Sequence, residues 1–153
     1  MSRPAKQLAD VAELDPREAA ARLAAAHQGE RGWLDEFAEY LDRHRAGQSL
    51  TRILTVWDLN QSRAARLFGV SRQALSKWIE HGVPAERAEA IADLAAATDL
   101  LVRYLKRDRI PAVVRRPIAA LKDRSLLDLM EAGGTRMLLQ ACRDMFLFER
   151  AQH

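Results

Sequence analysis

Four residues of one short stretch, Arg72, Gln73, Ser76 and Lys77 in "SRQALSKW", carry side chains suited to the edges of nucleic-acid bases. An Arg guanidinium donates two parallel hydrogen bonds to guanine, and a Gln amide both donates to and accepts from adenine. Ser76 and Lys77 suit base edges or phosphates. Upstream, Gln61 opens a predicted helix, where its side chain and the free backbone N–H groups face an anion together. Arg63 and Arg66, on the same helix, suit contacts to the phosphate backbone. This chemistry is recognition of double-stranded DNA, without bond making or breaking.

Catalytic chemistry finds no comparable set. His27, His44, His81 and His153 show no metal-ligand spacing, and one cysteine excludes a CxxC site. No phosphate-binding Gly loop is present, and "EHG" and "EAGG" read as helix stops. His81 beside Gly82 suits the negative end of a helix dipole better than proton transfer. Cys142, in "RMLLQACRDMF", is expected as a buried, reduced thiol. The protein is therefore expected to be a non-enzyme with no catalytic residues, no metal and no cofactor.

The recognition residues need a scaffold, and the residues around them specify one. With Gly69 in a tight turn, where it takes positive φ, Ala65 falls where two helices cross closely and only a small side chain fits. Val70 plugs the space between them. Ser71 caps the second helix by accepting a free N–H, while Leu75 and Trp78 face inward. Arg72, Gln73, Ser76 and Lys77 are left on the outer face. The pattern is that of a helix-turn-helix, with Gln61, Arg63, Arg66, Ser71, Arg72, Gln73, Ser76 and Lys77 as its DNA-binding set.

The rest of the chain reads as helix. Apolar residues make up 48% of its 153 positions, enough for a core, and Ala, Leu, Arg and Glu dominate over β-branched types. Asp15 and Pro16 start a helix. A second carries the stripe Trp33, Leu34, Phe37, Tyr40 and Leu41, a pattern that usually packs into a core. "AGQS" is expected to end it, with Ser49 capping a third helix that holds Leu50, Ile53, Leu54 and Trp57. After Pro84 comes a long Ala-rich helix, whose end carries Leu100, Val102 and Tyr104 as a second apolar face. Pro111 and Pro117 forbid one continuous helix between them. Ser125 caps a short helix stopped at Gly133–Gly134. An amphipathic last helix carries Met137, Leu138, Ala141, Met145 and Phe148.

Charge is uneven along the chain. Residues 1–48 carry seven basic and nine acidic side chains, whereas residues 101–124 carry eight basic residues against Asp108 and Asp123. Such a basic middle suits an anionic partner or a solvated surface; Arg115, Arg116, Lys122 and Arg124 suit an acidic protein rim or DNA on the one hand and plain solvation on the other equally. The opening residues hold no apolar core of signal-peptide type, and no run approaches a membrane span. A soluble, cytoplasmic protein that makes no membrane contact is expected.

"LNQSRAARLFGVSRQALSKWIEHG" resembles the Xre/Cro-repressor type of helix-turn-helix. The order that follows it is more specific: "VP", a long Ala/Leu helix, "IPAVVRRPIAALKDRSLLDLMEAGG" and a last helix. Over roughly residues 50–148 the chain is similar to the Xre/MbcA/ParS antitoxins. Pro117, Leu121, Ser125, Leu127, Asp128, Leu129 and Gly133 match the skeleton of that family's toxin-binding segment. Ile118 and Leu126 depart from it, standing where the family often has Asn and Pro.

The resemblance implies an oligomeric antitoxin, a homodimer or larger. It would bind and neutralise a RES-domain toxin that degrades NAD, through residues 117–148, and would bind operator DNA to regulate its own operon. A free-standing transcriptional regulator with a C-terminal dimerisation lobe is the alternative. The expected architecture is all-α, with residues 1–48 as an N-terminal helical extension. Residues 49–108 form the helix-turn-helix domain with its long connecting helix, and residues 109–153 a small toxin-binding-like lobe.

Overall fold

The computed structural model describes the backbone of residues 12–151 and the side chains of residues 12–147. The described residues are all-α, and no strand occurs among them. Eight α-helices follow in order: α1 (Pro16–Ala26), α2 (Arg31–Trp57), α3 (Gln61–Phe68), α4 (Arg72–His81), α5 (Ala85–Tyr104), α6 (Ile110–Arg115), α7 (Leu126–Glu131) and α8 (Thr135–Ala151). Short 3-10 turns at Arg107–Arg109 and Ala119–Leu121 flank α6. No described helix is long and apolar enough to cross a membrane.

The chain divides into two compact units at Tyr40/Leu41. In the first, Asp15 caps α1 by accepting from the Arg17 and Glu18 N–H groups. None of its described residues is fully buried. Trp33 stacks between His27 and Phe37, with centroids 3.4 and 5.2 Å away. The aromatic stripe expected in a core is thus half-exposed, with Tyr40 51% accessible and Leu41, just past the division, 50%.

The break expected at residues 46–49 is absent, because α2 runs unbroken through Gly47 and Ser49. Gly47 is buried, and a Cβ placed there would lie 2.9 Å from the Trp78 carbonyl oxygen. This glycine lets α2 approach the end of α4; it does not stop the helix. The helix ends instead at Asp58, a non-glycine residue at φ 55°. The Arg115 guanidinium donates to the Trp57 and Asp58 carbonyls at 2.9 and 2.8 Å, satisfying groups that a helix end leaves free.

The second unit has one continuous core. Leu50, Ile53 and Trp57 of α2 pack with Leu75, Ile91, Leu94, Leu101, Ile110, Leu126, Leu129 and Leu138, all fully buried. The Trp57 indole N–H donates to Thr98 Oγ1 at 2.9 Å, and Thr98 in turn donates to the Leu94 carbonyl. The broadest helix pairing is α5 with α8. In α8 the inward residues are Leu138, Leu139, Cys142 and Phe146, whereas Met137 is 51% accessible. The Phe148 side chain, expected on the same stripe, lies outside the described residues. Cys142 is buried as expected, and burial pushes its thiol up to about 12.

Candidate functional site

Asn60 caps α3, its side-chain oxygen accepting from the Arg63 N–H at 2.8 Å. Ala64 and Ala65 bury one face of α3. The helix stops at Gly69, at φ 66° and ψ 33°. That left-handed conformation costs most residues roughly 1–2 kcal/mol and glycine little. Val70 closes the turn by donating to the Ala65 carbonyl at 2.9 Å and packs half-buried against the core. Ser71 then caps α4, accepting from the Ala74 N–H at 3.1 Å.

Leu75 and Trp78 point inward from α4. Trp78 meets the Phe68 ring edge-on at 5.9 Å, and the Arg87 guanidinium lies over the Trp78 ring at 5.4 Å. Arg87 also donates to the Phe68 carbonyl at 3.0 Å, so one side chain from α5 joins the end of α3 to the inner face of α4. At the far end of α4, Val83 donates to the Arg43 carbonyl at 3.1 Å, and Arg43 Nε returns a bond to the Val83 carbonyl at 3.2 Å. α3 and α4 are therefore fixed as a pair from three sides.

Arg72, Gln73 and Lys77 are exposed on the outer face of α4, with Ser76 half-buried between them. Ser71 is exposed, but its oxygen serves the cap. Arg63 and Arg66 are exposed on α3, and Gln61 is half-buried at the first helical position. The side chains of Arg66, Arg72 and Lys77 make no hydrogen bond or ion pair with any described residue. Their charges are thus available to an anionic partner. The structure brings these side chains to one helix pair; Asn60, Arg43 and Arg87, which position that pair, carried no sequence signal beyond the capping preference of Asn.

The seven C-terminal residues are less uniform. Leu127 and Leu129 are 3% and 1% accessible and belong to the core. Ser125 is also buried and forms a capping box with Asp128. The Ser125 N–H donates to Asp128 Oδ2 at 2.8 Å, and the Asp128 N–H to Ser125 Oγ at 3.1 Å. Pro117, Asp128 and Gly133 are exposed, and Leu121 is half-buried. Leu126 occupies the first position of α7, where proline is also accommodated, and its side chain is fully buried. The departure from Pro at 126 thus keeps the helix start and adds apolar burial.

The Ser125 backbone N–H, then its hydroxyl, hold the Asp128 carboxyl below its usual 3.8 against the opposing effect of burial, with lesser help from the charges of Arg124 and Arg63. A depressed carboxylate stabilises the fold above its unfolded value and loses that contribution as pH falls through the folded one. Ser125→Ala should therefore cost about 1 kcal/mol at pH 7. It should also flatten the loss of stability below pH 3.8. Urea unfolding at pH 7 and pH 3 measures both effects; parallel losses at the two pH values would show that the Ser125 hydroxyl does not govern the acid sensitivity.

Among the described residues, no group of three or more His, Cys, Asp or Glu side chains could hold a metal ion. No family model matches the sequence, and no curated protein matches it either. In structure the chain is similar to one in the crystal structure of the M. tuberculosis MbcT-MbcA toxin-antitoxin complex. The likeness has a TM-score of 0.53 at 20% identity, and it covers 65% of this chain and 91% of that chain. At that identity the two share a fold.

Proposed function

We propose that the chain is the antitoxin of a type II toxin–antitoxin pair. It binds and neutralises a RES-domain, NAD-degrading toxin, and it binds operator DNA through α3 and α4 as a helix-turn-helix to regulate its own operon. The DNA half rests on the exposed, unpartnered cations of the α3–α4 pair beside Gln73, all held on a turn whose Gly69 takes the required conformation. The observation that carries the toxin half is the fold shared with the toxin–antitoxin complex, which spans nearly all of the neighbouring chain.

Co-expression with a RES-domain protein encoded beside it tests the toxin half. The expected result is a complex stable to size-exclusion chromatography, in which NAD loss is suppressed. A RES-domain protein that elutes separately and keeps degrading NAD would sink this half. Removing residues 117–153 is a poor control, since it strips Leu126, Leu129 and Leu138 from the core. A surface change at the exposed Pro117 is the better probe.

One observation favours a regulator with a C-terminal dimerisation lobe. Leu100, Tyr104, Phe146 and Leu147 line an open groove of about 330 Å³ between α5 and α8, and Leu147 is 56% accessible. Operator binding by a dimer that captures no toxin is the outcome that would select this reading.

A further inference from the structure

We propose that Arg116, Lys122 and Arg124, presented by the turn between α6 and α7, form a second phosphate-binding surface that extends the DNA footprint beyond the α3–α4 pair. The inference rests on the DNA-binding reading above. It assigns the basic middle of the chain to nucleic acid and not to an acidic protein rim.

Arg115 is the anchor. Its guanidinium is consumed internally, donating to the carbonyls of Trp57, Asp58 and Pro111 at 2.9, 2.8 and 2.7 Å. This clamp ties the end of α6 to the residues that lead into α3. Gln61 lies three residues beyond Asp58, a span of at most ~11 Å of extended chain. Arg116 follows the clamp directly and is exposed. A duplex carries a charge about every 1.7 Å along its axis. A protein that seats a phosphate at the start of α3 therefore brings further phosphates within reach of this turn.

The turn is held in shape. Ile118 donates to the Arg124 carbonyl at 3.1 Å, and Asp123 to the Ile118 carbonyl at 3.1 Å. Lys122 and Asp123 both sit at positive φ, 59° and 61°. Consecutive non-glycine residues in that region are uncommon and persist where the surroundings over-determine them. The Arg124 side chain is fixed by its bond to the Leu121 carbonyl at 3.2 Å, whereas the side chains of Arg116 and Lys122 have no partner among the described residues.

The surface is continuous with the DNA-facing helices, because α7 packs on α3 and α6 packs on α7. The charges of Arg63 of α3 and of Arg124 both favour the ionised Asp128 carboxylate. Asp58, Asp123 and Asp128 are acids of this region, and Asp128 is already engaged in the capping box. Arg63, Arg115, Arg116, Lys122 and Arg124 outnumber these three, so the region stays positive.

The test is binding of full-length protein to its own promoter duplex and to an unrelated duplex, between 50 and 200 mM salt. It compares wild type with the double variant Arg116→Gln, Lys122→Gln. Both residues are exposed and unpartnered, and an unchanged thermal melt confirms folding. The expected result is about tenfold weaker binding to both duplexes, with the log–log salt slope shallower by roughly 1 for each phosphate that the variant no longer neutralises. Unchanged affinity and slope would overturn the inference while leaving the α3–α4 reading intact. Retained DNA binding with loss of a toxin complex would overturn it too, and assign the turn to a protein partner. Wild-type protein that fails to prefer its promoter removes the DNA reading and this inference together.

Discussion

Gly82→Ala should destabilise the protein by about 3–5 kcal/mol, a large share of the 5–15 kcal/mol typical of a folded domain. Gly82 ends α4 at φ 107° and ψ 154°, a region in practice closed to residues with a Cβ, and forcing another residue there costs roughly 1–3 kcal/mol. Space adds to the strain. A Cβ at this position would lie 2.9 Å from Arg43 Cβ, 3.0 Å from its carbonyl carbon and 3.1 Å from its carbonyl oxygen. That oxygen accepts from the Val83 N–H, so backing away breaks the bond that holds the exit of α4. Overpacking of this kind costs about 1–3 kcal/mol more.

Gly69→Ala is the internal control. Gly69 also has positive φ, but nothing lies within 4 Å of a Cβ built there. Backbone strain alone, about 1–2 kcal/mol, is expected. Urea unfolding of the two variants, with an unchanged m-value, separates strain from crowding. Equal midpoint shifts would show that the Arg43 backbone yields without cost.

The residues that specified the α3–α4 pair were legible because each acts locally. A glycine needing positive φ, a serine four residues before its leucine and a small residue at a crossing are all written within eleven positions, Ala65 to Leu75. The capping box at Ser125 and Asp128 was legible for the same reason, through its Ser125 half. What stayed hidden depends on distant partners. Gly47 reads as a helix stop, and only the Trp78 carbonyl, thirty-one residues away, makes it a point of close approach. Arg115 reads as one more surface cation, yet it closes the end of α2. Leu127 and Leu129 match a binding skeleton but lie in the core. The aromatic stripe failed in the other direction: spacing alone suggested a core, but the unit that carries it fully buries none of its described residues.

Arg72→Ala combined with Gln73→Ala should abolish preference for the protein's own promoter over a scrambled duplex. These are the first two residues of α4, both exposed, and the N-terminal residues of a recognition helix are those that reach base edges. Each bidentate pairing contributes about 1–3 kcal/mol of discrimination. The pair together should then cost roughly 10²–10³-fold in specific affinity, with some coupling because the two are adjacent. Lys77→Ala should behave differently, weakening binding to every sequence and flattening its salt dependence without changing preference. The fold should be indifferent to all three changes, since Arg72 and Lys77 have no partner among the described residues and all three side chains are exposed. Fluorescence anisotropy with the two duplexes reads both quantities. A double variant that still selects its promoter as wild type does would remove α4 from the groove, and leave the α3–α4 pair as a helical hairpin with a polar face.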